Sequence, residues 1–99
     1  MKVLLVCAAG MSTSLLTNNM KKNADADDVI DAVPVNELEH NITKYDVVLL
    51  GPQIKFKLKD VEKVAIPLGV PVAVIDMRAY GMMDGKAAMA QARALLAAK

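Results

Sequence analysis

The chain has 99 residues, 55% of them apolar, and its only aromatic side chains are two tyrosines and one phenylalanine. That composition excludes a disordered chain and fits one domain, residues 1–99, with a core of Val, Leu, Ile, Ala and Met. Twelve basic residues against eleven acidic leave a formal charge of +1, too balanced for a nucleic-acid reader that relies on a broad basic face.

Val3 to Cys7 is a continuous apolar run and predicts a first strand buried on both faces. One lysine and the short run Val3 to Val6 ahead of Cys7 are too little for a signal-peptide core. Val6 is also too bulky for the position before a lipidated cysteine, so the expected location is cytoplasmic. Met11, Leu15, Leu16 and Met20 recur at helical spacing, with Thr17, Asn18, Lys21 and Lys22 on the other side. Val29 to Val35 reads as a weaker second strand. Asn36 followed by Glu39 resembles a capping box, opening a short helix with Leu38 and Ile42 inward.

Asp46 to Leu50 predicts the third strand, stopped by Gly51-Pro52. Ile54, Leu58, Val61, Ala65 and Leu68 then form an amphipathic stripe. Pro71 opens the fourth strand, Val72 to Ile75. The last helix, from about Asp84, is alanine-rich, with Met83, Ala87, Ala90 and Ala94 on one face. No membrane span is expected. The longest apolar run, Val64 to Ile75, is broken by prolines and a glycine and falls short of the roughly 20 residues a bilayer requires.

Strand and helix alternating in so short a chain imply an α/β fold: a four-stranded parallel sheet with right-handed crossovers and helices on both faces. The expected strand order is 2-1-3-4, an open three-layer sandwich of Rossmann-like or phosphatase-like form. Ligands of such sheets sit beyond the carboxyl ends of the strands, where the order reverses, here between strands one and three. The loop after Cys7, Gly51-Pro52-Gln53 and the segment from Asp76 onward should therefore share one edge.

The chain's only cysteine ends the first strand and is followed by Ala8-Ala9-Gly10-Met11-Ser12-Thr13-Ser14. A lone cysteine in an apolar strand is ordinarily a small buried hydrophobe. The turn that follows argues for a second use. Small residues let backbone approach a ligand, Gly10 can take positive φ, and amides at a helix start bind anions. The same setting stabilises a thiolate. Tyrosine phosphatases place an arginine six residues after their cysteine; here that position is Thr13. A cradle without the guanidinium fork holds a phosphoryl group without hastening its hydrolysis.

Cys7-Ala8-Ala9-Gly10-Met11-Ser12-Thr13-Ser14-Leu15-Leu16 closely resembles the active-site loop of enzyme IIB of the bacterial sugar phosphotransferase system, lactose/cellobiose/chitobiose class. Val47 to Ile54 looks like that family's third strand and loop. Pro71 to Asp76, Tyr80-Gly81 and Asp84-Gly85 are similar to its fourth strand and the lead-in to the last helix. The resemblance implies a phosphocarrier that is a cytoplasmic monomer and uses no cofactor. Cys7 would take a phosphoryl group from the phosphohistidine of enzyme IIA and pass it to a sugar presented by the membrane transporter, enzyme IIC. Ala8, Ala9, Gly10, Met11, Ser12, Thr13 and Ser14 are the candidate phosphate-binding residues, and Gln53 and Tyr80 the candidate rim or partner contacts. Two alternatives stay open: a low-molecular-weight phosphatase-like enzyme, and a redox-sensing thiol protein.

Other residues read as structural. His40 stands alone with no cluster at metal-ligand spacing, so no metal is expected. Asp25, Asp27, Asp28 and Asp31 read as a polar turn and strand edge. Lys55, Lys57, Lys59 and Lys63 make a basic strip, by default a solvated face.

Overall fold

The computed structural model describes residues 1–7 and 14–98. The elements run β1 Lys2–Cys7, α1 Ser14–Lys22, β2 Val29–Pro34, α2 Leu38–Asn41, β3 Val47–Leu50, α3 Leu58–Ala65, β4 Val72–Val74, α4 Met77–Gly81 and α5 Gly85–Ala97. Short 3-10 turns at Val35–Glu37, Ile42–Lys44, Pro52–Lys57 and Ile66–Leu68 join them. The strands form one parallel sheet in the order β2-β1-β3-β4, the order that the alternation of elements predicts.

Side chains alternate across the two central strands and so feed two apolar layers. Val3, Leu5, Val47 and Leu49 pack with Leu16 and Met20 of α1 and with Ala88, Met89 and Ala92 of α5. Leu4, Val6, Val48 and Leu50 pack with Leu38, Ile42, Ile54, Val61 and Ala65 on the opposite face. Both central strands are buried on both sides, which is why their sequences read as unbroken apolar runs. Among the described residues no helix is long and apolar enough to cross a membrane.

Several expectations need correction. Val35 is not the end of β2: Pro34 is its last residue, and Val35 begins a 3-10 turn. Asn36 lies inside that turn, and neither it nor α2 has a side-chain cap, so the capping box does not form. Leu38 and Ile42 do point inward. Leu15 is exposed because Leu16 and Met20, one turn apart, take the sheet-facing side of α1. Thr17 shares the buried side instead of the solvent side. Leu68 is exposed as well: Pro67 falls in the 3-10 turn that ends α3, and Gly69 closes it in the left-handed region at φ 74°.

The last helix turns a different face inward. Gly85, Ala88, Met89 and Ala92 are buried, while Ala90 and Ala94 are exposed. Gly85 sets this rotation. A Cβ there would strike the backbone of Asn19 and Met20, closer than the 3.0 Å that real Cβ atoms respect. The glycine lets α5 lie directly on α1, and residues at three, four and seven positions further on follow it inward. Asn19 ties the same junction by donating from Nδ2 to the carbonyl of Met83, 2.8 Å away.

Candidate functional site

Cys7 is the last residue of β1 and lies opposite Pro34 of β2. It is 6% exposed, and its thiol donates to the carbonyl oxygen of Val33 over 3.7 Å. The first described residue after it, Ser14, opens α1. The first turn of α1 carries no acidic side chain and its last turn carries Lys21 and Lys22. That arrangement leaves the positive end of the helix dipole unopposed on the Cys7 side. Ala8, Ala9, Gly10, Met11, Ser12 and Thr13 lie outside the described residues.

The other two segments expected at this edge meet there. Beyond β3, the Gly51 N–H donates to the Val6 carbonyl at 2.8 Å, tying the turn to the residue before Cys7. A side chain on Gly51 would come within 2.8 Å of Gln53 Oε1 and 3.8 Å of the Tyr80 ring. Its absence lets Gln53 reach Tyr80, and Gln53 Nε2 donates to the Tyr80 hydroxyl at 2.8 Å. The structure thus joins to each other the two residues named as rim candidates from sequence.

Tyr80 is held by α4, a short helix absent from the sequence reading. Asp76 caps it: one carboxylate oxygen accepts from Ala79 N–H at 3.1 Å, and the Asp76 carbonyl accepts from Tyr80 N–H at 2.9 Å. Asp76 is itself fixed by Gln91 of α5, whose Oε1 accepts from the Asp76 N–H at 2.9 Å. Gln91 Nε2 donates to the Val74 carbonyl at 2.8 Å. Hydrogen bonds, joined by the short backbone step from Gln53 to Gly51, therefore link α5 across the carboxyl edge of the sheet to the residue before Cys7. Gln91 went unnoticed in the sequence, although it is the only amide side chain in an otherwise alanine-rich helix.

The remaining candidates stand elsewhere. His40 is exposed on α2, and among the described residues no group of three or more His, Cys, Asp or Glu side chains could hold a metal ion. The aspartates gather at the amino end of β2. Asp28 accepts from the Asp25 N–H at 2.9 Å, from the Met1 amino group at 3.1 Å and from Arg93 at 3.0 Å. These contacts, the Asp25 amide first, hold its carboxyl below the usual carboxylate range against the opposing effect of burial. Burial pushes the Tyr45 hydroxyl up to about 12, helped by its 2.6 Å hydrogen bond to Asp31.

Comparison with known proteins adds a separate line of evidence. The family model described as "PTS system, Lactose/Cellobiose specific IIB subunit" matches residues 2–91. The chain is 44% identical over 98 residues to the oligo-beta-mannoside-specific EIIB component of the Bacillus subtilis phosphotransferase system, covering 96% of this chain and 95% of that one. It is 42% identical over 102 residues to the galactose-specific EIIB component of Lactococcus lactis subsp. cremoris, covering 95% and 94%. A cellobiose-specific EIIB component of Lactococcus lactis subsp. lactis matches to the same extent. Among solved structures, the cellobiose-specific phosphotransferase IIB component from Borrelia burgdorferi superimposes with a TM-score of 0.81 at 36% identity, covering 100% of this chain and 94% of that one. The lactose-specific IIB domain from Streptococcus pneumoniae shares the fold, with a TM-score of 0.79 at 19% identity over 96% and 94%.

Proposed function

This chain belongs to the lactose/cellobiose-specific IIB family of the sugar phosphotransferase system, and from that premise we propose that Cys7 is its phosphoryl carrier. One observation carries the reading. The chain's only cysteine stands at the carboxyl end of central strand β1, where the strand order reverses between β1 and β3 and α1 begins.

The chemistry follows from that placement. The Cys7 thiolate attacks the phosphorus of a phosphohistidine on enzyme IIA. A P–S bond forms as the P–N bond breaks, and the imidazole leaves with the bond's electron pair. In the second half a sugar hydroxyl attacks the same phosphorus, the P–O bond forms, the P–S bond breaks, and the thiolate returns while the hydroxyl loses its proton. Such transfers depend on in-line positioning and charge stabilisation more than on acid–base groups. Backbone amides from Ala8 to Ser14 and the hydroxyls of Ser12, Thr13 and Ser14 are the groups we assign to the phosphoryl oxygens. The Gln53–Tyr80 pair forms the rim against which each partner closes.

The reading places the protein in the cytoplasm as a monomer, between IIA and a membrane IIC carrying a cellobiose-, chitobiose- or lactose-type sugar. Two relatives equally similar to this chain are named for different sugars, which supports a carrier that does not itself select the sugar. Intact-mass analysis after incubation with a phosphorylated IIA of this class tests the proposal. The wild type should gain one phosphoryl group and Cys7→Ser none. A wild type that stays unmodified beside a second IIB that accepts phosphate, or a Cys7→Ser variant still loaded at the thiol's rate, would overturn it.

A further inference from the structure

The phosphoryl chemistry makes no use of the face formed by α3 and the turn before it. That turn leaves Gly51 and bends at Ile54, where φ is −118° and ψ 25°. Ile54 enters the core and Phe56 is turned out, 74% exposed. The chain's one phenylalanine is thus turned away from the core and leaves most of its ring in water. The Lys57 ammonium sits 5.9 Å from the ring centroid. Lys55, Lys59 and Lys63 follow at four-residue spacing, all exposed, and none is in an ion pair among the described residues. Beside them, between α2 and α3, opens a hollow of about 270 Å³ of mixed lining: Val35, Leu38, Val61 and Val64 alternate with Asn36, Glu39, Lys57 and Asp60. The face therefore presents an aromatic knob and a lysine stripe that makes no ion pair among the described residues, beside a hollow of mixed polar and apolar lining. The Gly51–Val6 hydrogen bond connects its near end to the Cys7 edge.

We infer that Phe56 and the Lys55–Lys59–Lys63 stripe form the docking surface for the phosphoryl-donor protein and not for the sugar-bearing acceptor. The inference rests on the reading of Cys7 as phosphoryl acceptor, and charge decides between the two partners. The donor arrives carrying a group with up to about two negative charges, which the stripe attracts and steers. The acceptor offers a neutral sugar hydroxyl, to which the stripe is indifferent. Transfer moves the negative charge from the donor onto this chain. The attraction that brought the donor in then falls, and the emptied donor is released.

The test compares wild type with the triple variant Lys55→Ala/Lys59→Ala/Lys63→Ala and, separately, with Phe56→Ala; all four positions are solvent-exposed, and thermal melts check that folding is kept. Two rates are read: phosphoryl transfer from phosphorylated IIA to Cys7 at low and high salt, and transfer from preloaded phospho-Cys7 to sugar through IIC-bearing membranes. The triple variant should load about tenfold more slowly at low salt and lose most of the wild type's salt dependence. Phe56→Ala should raise the donor concentration needed for half-maximal loading. Transfer to sugar should be unchanged in both. Loading at the wild-type rate with the wild-type salt slope overturns the inference, as does an equal slowing of both half-reactions. A wild type that never acquires phosphocysteine overturns the carrier reading and the docking inference together, so the wild-type result and the variant-to-wild-type ratio separate the two failures.

Discussion

Replacing Gly85 by alanine adds one methyl group, and the structure gives it nowhere to go. The new Cβ would press on the backbone of Asn19 and Met20, atoms that cannot rotate away as the tip of a side chain can. Ordinary carbon contacts begin at 3.4 Å, so α5 must retreat from α1 by about 1 Å at its first turn. A gap of that size forfeits a quarter to a half of the dispersion energy across it. The residues losing contact are Leu16 and Met20 on one side and Ala88, Met89 and Ala92 on the other. Overpacking of this kind costs about 3 kcal/mol, a large share of the roughly 5–15 kcal/mol that holds a domain of this size. The Tm should drop by about 15 °C. Gly81→Ala supplies the control, because nothing lies within 4 Å of its missing Cβ and alanine favours helix; that change should be neutral or stabilising by up to about 1 kcal/mol. Urea melts of both variants decide the matter. A loss below about 1 kcal/mol for Gly85→Ala, beside a neutral Gly81→Ala, would show that α1 and α5 do not meet backbone to backbone.

Gln91→Leu keeps the side chain's bulk but removes both hydrogen bonds to the Val74–Asp76 segment. A stability loss of about 1–3 kcal/mol in urea is expected. Tyr45 should titrate near pH 12 in alkaline ultraviolet difference spectra, and Asp31→Asn should bring its midpoint down. Because the folded state keeps this proton where the unfolded chain releases it, stability is full below pH 10 and falls as pH rises through 12. Tyr45→Phe should flatten that part of the profile. Asp28 works in the opposite direction: its lowered folded value contributes stability above the ordinary carboxylate value of 3.8 that is lost as the pH falls through the folded value. An acid-unfolding curve for Asp28→Asn that retains the wild type's dependence would contradict this.

The sheet was legible because its central strands are buried on both faces, so that Val3–Cys7 and Val47–Leu50 read as short, continuous, β-branched apolar runs. Turn signals and helical segments between them make parallel core strands the consistent reading. The edge segments that meet near Cys7 followed from strand order alone. What the sequence did not reveal depends on contacts between elements. An alanine-rich helix has too little contrast between its sides to say which one faces in; the close approach at Gly85 decides it. Asn36 and Glu39 have the spacing of a capping box, but Pro34 delivers the chain into a 3-10 turn that places Asn36 where it caps nothing. Gln53 and Tyr80 could be named from their loops, but their hydrogen bond depends on α4, whose cap at Asp76 is held from a distant helix.

The Gln91 contact also explains where the sheet stops. In a parallel ladder, a residue opposite position i donates to the carbonyl of i−1 and accepts from the amide of i+1. The Gln91 carboxamide does this around Ile75, donating to Val74 and accepting from Asp76. It occupies the outer side of β4, since the Ile75 N–H turns inward to Leu50 of β3. One side chain thus impersonates a single residue of a fifth strand. Sheet edges that end in unanswered amides and carbonyls invite pairing with another chain. Here an incoming strand could register with Val72 but would have to evict Gln91 before advancing toward the Cys7 edge. The edge of β4 nearest the Cys7 end of the sheet is thereby closed to β-pairing from within.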